Sequence, residues 1–131
     1  MRCHGLEEMT LYRVQHVNDG RGPWRPGFSE SWTDHSRTDE EYRKLKRWTQ
    51  EFGLKEILTK VKQGEHAGCG CVNPDQLKLW FTPLELSRLI ALGYHAVTFD
   101  DAKVIAVSDI QCVFTRKQPL HLNVEPFSLY A

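Results

Sequence analysis

Apolar positions along this chain recur with two different periods, and the places where the period changes divide it into elements. From Thr10 to Val17 the pattern alternates. Leu11, Arg13, Gln15 and Val17 share one face, and Tyr12, Val14 and His16 share the other. That predicts a first strand in which neither face is cleanly apolar. Arg13 then either reaches out of the sheet to solvent or sits in a cleft with a carboxylate or an anion, because arginine is rarely buried unpaired. Between residues 39 and 61 the spacing becomes helical. Tyr42, Leu45, Trp48 and Phe52 form one stripe of a helix over Asp39–Phe52, with Thr38 or Asp39 as its cap. Gly53 ends or kinks it, and Leu54, Ile57, Leu58 and Val61 continue as a second short amphipathic piece ending near Gly64.

Two better-signposted helices follow. Asn73 caps Pro74–Phe81, with proline at the first helical position and Leu77, Trp80 and Phe81 facing inward. Thr82-Pro83-Leu84-Glu85 has the form of a capping box, followed by a buried stripe of Leu86, Leu89 and Ile90 and by Gly93 as the stop. Beyond Gly93 the period is two. Tyr94–Phe99, Lys103–Val107 and Gln111–Arg116 read as three short strands separated by Asp-Asp and Ser-Asp turns. Leu120–Ala131 adds an edge strand or wraps the surface. Strands at both ends with three to four helices between them predict an α+β fold. Its small mixed or antiparallel sheet joins the first strand to the C-terminal ones.

The stretch after the first strand departs from both periods. Asn18-Asp19-Gly20 is a turn signal. Arg21-Gly22-Pro23-Trp24-Arg25-Pro26-Gly27 then cannot be helix or central strand, since proline removes donors and restricts its predecessor. Two guanidiniums and an indole on a stiff loop suit recognition of a planar or anionic group. The same loop also suits a structural lid, with Trp24, Phe28 and Trp32 folded back onto the core.

Composition narrows the function classes. With 131 residues the chain is expected to form a single domain over 1–131, with residues 1–9 as a flexible leader. Seventeen basic and seventeen acidic residues cancel, so no overall charge draws the protein to nucleic acid or to a membrane. No apolar run approaches the length of a membrane span, and MRCHGLEEMT has no signal-type apolar core. The expected compartment is the cytoplasm, where Cys3, Cys69, Cys71 and Cys112 remain thiols. Glu65–Cys71 reads as a glycine-rich flexible loop with incidental thiols. Its C-x-C has no second matched pair, so no metal is expected.

Several motifs resemble known families. The strand Leu11-Tyr12-Arg13-Val14 resembles the arginine strand that contacts NAD in the ADP-ribosyltransferase superfamily, and LIALGYHAVTFDDAKVIAVSDIQCVF resembles the later half of that fold. In that family a late-strand glutamate carries the transfer chemistry; here Asp109 or Gln111 stands at that point. The chain as a whole is even more similar to small phage and prophage proteins. The resemblance rests on Tyr12-Arg13, Gly20-Arg21-Gly22-Pro23, Gln76-Leu77-Lys78-Leu79-Trp80-Phe81 and Gln111-Cys112-Val113-Phe114.

These resemblances imply an ADP-ribosyltransferase-like form of the α+β fold and a phage accessory protein. Such a protein would bind a nucleotide-like ligand of the NAD or ADP-ribose type, or would have lost transferase activity. If it is an enzyme, the implied reactions are ADP-ribosyl transfer or NAD hydrolysis, with NAD as the cofactor candidate. His16, Asp109 and Gln111 are the candidate catalytic residues, with Glu30 as an alternative carboxylate. A half-buried strand histidine is the commoner outcome for a residue such as His16. The expected ligand contacts are Arg13, His16, Arg21, Trp24, Arg25, Trp32 and Gln111. Arg13 would hold a pyrophosphate, and Trp24 or Trp32 would stack on a ring. The alternative is a protein-interaction module that inhibits a host or defence protein through its Trp/Arg loop. Geometry distinguishes the two: a shared cleft for Arg13, His16 and Gln111 favours a small ligand, and a convex tryptophan patch favours a protein partner.

Overall fold

The computed structural model describes residues 9–38 and 45–130. Its centre is an antiparallel sheet that curls until its two outer strands meet. β1 is Met9–His16, β2 is His66–Gly70, β3 is Tyr94–Val107, β4 is Cys112–Arg116 and β5 is the two-residue Glu125–Pro126. The order is β1-β3-β4-β2, with β5 beside β3. Tyr12 and Cys71 exchange backbone hydrogen bonds of 2.9 and 2.8 Å, which carry the chain after β2 back onto β1. The first strand thus joins the C-terminal sheet, as its alternation predicts.

The curl comes from β3. Residues 94–107 form one strand of 14 residues, not two strands separated by an Asp-Asp turn. Its first half pairs with β1 and its second with β4. The register slips between Met9/Leu11 and again between Val104/Ala106, so β3 bulges at Asp100–Asp101 and at Ile105. A bulge bends and twists a strand without ending it. Asp101 has a further reason to stay in the sheet: its carboxylate takes both arms of buried Arg116 at 2.9 Å.

The two faces of the curled sheet carry separate cores. Inside lie Leu11, Val97, Phe99, Ala102, Cys112 and Phe114. Outside, Val14, Tyr94 and Ala96 meet α2 (Pro74–Trp80), α3 (Pro83–Ala91) and Trp32 of the loop. Burying a side chain as completely as Phe114 or Leu89 contributes about 1.5–3 kcal/mol. The predicted caps hold: Asn73 accepts from the Gln76 N–H at 2.8 Å, and Thr82 and Glu85 form the reciprocal box. Ile90 is an exception to the predicted stripe and is 47% exposed. Glu85 does more than cap. It is fully buried and also receives the Asp34 N–H and Arg37 at 2.8 Å each, fastening the loop before residue 39 to α3.

Two other expectations change. Residues 39–44 of the expected Asp39–Phe52 helix lie outside the described residues. Leu45–Arg47 are not helical, and the Lys46 carbonyl instead receives the Gln111 side chain at 2.6 Å. Helical backbone resumes as a wide turn over Thr49–Gly53, and Gly53 (φ 83°) separates it from α1, Leu54–Leu58. Residues 66–70 are not a flexible loop but strand β2, paired to β4 from His66↔Arg116 to Gly70↔Cys112. The leader expected over 1–9 falls outside the described residues except for Met9, which already belongs to β1.

Candidate functional site

Arg13 takes neither of its two expected environments in full: it is buried, but its partners are neutral. Only 6% of it is exposed, and it lies where β1 and β2 diverge. Its guanidinium donates to the Gln15 side chain at 2.9 Å, the Cys69 carbonyl at 2.5 Å and the Gly20 carbonyl at 2.7 Å. It therefore ties together the first strand, the turn after it and β2. The Gly68 and Gly70 positions make room for it: a Cβ on Gly68 would stand 3.0 Å from the Phe114 ring and 3.3 Å from Arg13 Nη1. Gly20 is needed for a second reason, since its φ is +77° and an added Cβ would lie 2.6 Å from that of Leu120. No carboxylate lies within ion-pair distance of Arg13 among the described residues. Burial without a counter-ion lowers the Arg13 pKa, an effect partly offset by Cys69 beside it.

Arg13 borders a cavity of about 730 Å³. Its walls bring together residues distant in sequence: the loop 21–25, the segment 45–50, α1, β2 and the inward ends of α2 and β4. Four arginines line it, Arg13, Arg21, Arg25 and Arg47, along with Trp24, Trp48, Trp80 and Phe81. Among the described lining residues there is no aspartate or glutamate. Arg21 leans on Asp19 at 3.0 Å, an exposed pair in which the Arg21 backbone N–H, then its side chain, hold the Asp19 carboxyl below its ordinary range. Arg25 lies 4.7 Å over the Phe28 ring.

The expected site residues divide between this cavity and other places. Arg13, Arg21, Trp24, Arg25 and Gln111 line it. Trp32 does not: it is fully buried, donates to the Pro23 carbonyl at 3.1 Å and packs edge-on against Trp24 at 4.6 Å. His16 sits against Gly93 and Tyr94, with its Nδ1 accepting from the Asn18 N–H at 3.1 Å. Asp109 is exposed on the β3–β4 turn, where its backbone carbonyl receives Gln76 at 3.0 Å. Glu30 is exposed on a single 3-10 turn, Ser29–Ser31. Gln111 is buried and its amide nitrogen is engaged, reaching the Glu51 carboxylate at 2.9 Å besides the Lys46 carbonyl.

Sequence reasoning passed over Arg47, Trp48 and Trp80 as cavity lining, and Glu51 as the anchor shared by Gln111 and Ser108 (2.7 Å). Trp80 was visible as an inward helix residue. Trp48 was visible as part of an apolar stripe, and nothing local marks Arg47 or Glu51. Cys69 and Cys71 also line the wall. Burial pushes the Cys71 thiol far up and that of Cys112 up to about 12, so both remain protonated at neutral pH. No group of three metal-ligating side chains occurs among the described residues.

Residues 9–128 match the family model of the bacteriophage T4 Y00F protein. The chain belongs to that family. It is a small phage-type accessory protein with an α+β fold, and among its described residues no helix is long and apolar enough to cross a membrane. No curated protein and no solved structure matches it.

Proposed function

We propose that this phage protein binds a nucleotide-like ligand, of the NAD or ADP-ribose type, in the arginine-lined cavity and holds it without turning it over. One observation carries the reading: a cavity of about 730 Å³ joins four guanidiniums to an aromatic wall in a chain of zero net charge. That volume lies within the usual range for small-molecule sites. Guanidiniums supply bidentate contacts to phosphate, and indole faces supply stacking. Cleavage of a glycosidic bond builds positive charge on the sugar, which a carboxylate stabilises and an arginine opposes. Gln111 lines the cavity, and if the resemblance holds, Asp109 or Gln111 stands where a transferase would carry glutamate, so loss of transferase activity fits the same reading.

The protein-interaction alternative asks for Trp24 and Trp32 as surface anchors. Trp32 is fully buried, and Trp24 packs against Trp32, Trp80 and Phe81. Calorimetric titration with NAD and ADP-ribose tests the nucleotide reading. Saturable heat for at least one of them is expected, and silence from both at millimolar concentration removes it.

A further inference from the structure

The charge of the cavity says more about the ligand than its size does. Arg13 places one cation at the seam between β1 and β2, with three of its five N–H donors committed to Gln15, Cys69 and Gly20. Two donors remain on a side chain that is more than nine-tenths buried and borders the cavity. The glycine at 68 leaves room beside the guanidinium, since a Cβ there would stand 3.3 Å from Arg13 Nη1. Arg21, Arg25 and Arg47 add three further cations to the same walls. A buried guanidinium whose partners are all neutral gains most from an anion brought to it.

Resting on the nucleotide reading, we infer that the ligand is a polyanion without a cationic ring: an ADP-ribose-like or reduced nicotinamide nucleotide, not oxidised NAD. Four guanidiniums complement the two charges of a pyrophosphate. The positively charged nicotinamide of NAD⁺ would enter the same field with the wrong sign. Selectivity here comes from repulsion as much as from attraction.

NAD⁺ and NADH separate these contributions, because they match closely in size and differ by one charge on the ring. Titration of the full-length protein at low salt is expected to show NADH binding about tenfold tighter than NAD⁺, a ratio that narrows as salt is added. ADP-ribose should fall with NADH. The exposed Arg25→Gln and Arg47→Gln variants should each narrow the ratio, which ties the preference to the guanidiniums and not to ring planarity. NAD⁺ binding as tightly as NADH, or a ratio unchanged in both variants, overturns the charge assignment and leaves the nucleotide reading standing. Absence of binding by all three nucleotides overturns both.

Discussion

Two buried arginines hold this fold together, and they do it differently. Arg116 meets Asp101 through a two-pronged ion pair, with the carbonyls of Pro119 and Leu120 on its remaining arm and the Phe99 ring 5.0 Å beneath. Its charge is answered within the sheet. Arg13 has a side-chain amide, two backbone carbonyls and the Phe114 ring at 5.9 Å, all neutral, and it borders the cavity. Both link neighbouring segments of the sheet. The difference is that one site is electrostatically complete and the other is complete only with an anion added. That contrast separates an arginine that serves the fold from one that serves the fold and a ligand together.

The largest effect is expected from removing the arginine that lacks a counter-ion. Arg13→Ala leaves the Gly20 and Cys69 carbonyls without their donor and opens the seam; a loss of about 3–5 kcal/mol in urea denaturation is expected, toward the upper range for single substitutions. A loss under about 1 kcal/mol would show that backbone pairing at Tyr12–Cys71 closes the sheet unaided. Asp101→Asn should cost less, about 1–3 kcal/mol, because the Asp101 side chain is 39% exposed and water can reach part of the site it vacates. Equal losses in the two variants would erase the distinction between a paired and an unpaired charge.

A smaller effect separates the two sites by ligand. Inorganic pyrophosphate should raise the Tm of the wild type and of Asp101→Asn by a similar few degrees, through preferential binding to the folded state. In Arg13→Lys the rise should shrink, since an ammonium lacks the planar fork. The smallest expected change is in Arg21→Gln, where an exposed pair with Asp19 is removed; stability should move by about 0–1 kcal/mol while pyrophosphate stabilisation weakens. An alkaline scan adds a sign check. Burial raises the Cys112 thiol from 9.0 to about 12, so the stability it contributes is present below pH 9 and is lost as pH climbs toward 12. Cys112→Ala should flatten that part of the profile in pH-dependent urea denaturation.

How much of this was legible in the chain depended on whether the signal was local. The caps at Asn73 and Thr82 involve partners three residues away, and both were readable, as was the turn at Gly20. β3 was misread because period-two reasoning meets Val97 and Phe99 on one parity and Ala102 on the other, and Asp100-Asp101 between them looks like a turn. A bulge produces that change of parity without any break in the strand. β2 was missed because its interior face is glycine, which has low strand propensity. The glycines are there for Arg13, 55 and 57 positions earlier, and no local pattern records that debt. The site was partly legible: loop arginines and Trp24 were named, while Arg47 and Trp48 reach the cavity by a route set only by the fold.

The two bulges of β3 also give that strand something like a reading frame. Inward-facing positions are odd-numbered at Val97 and Phe99 and even-numbered at Ala102 and Val104, and the second bulge shifts the register once more before Val107 pairs with Cys112. Each bulge is a one-residue shift that the next one corrects. A residue inserted between the two would turn the stretch from there to Ile105 inside out and send Val104 toward the wrong face. One inserted at Lys117 or Gln118, exposed and between strands, would leave every frame intact. Near-ultraviolet circular dichroism of the two insertion variants distinguishes these cases, with the native aromatic signal expected only from the second. Along this strand, counting matters more than composition.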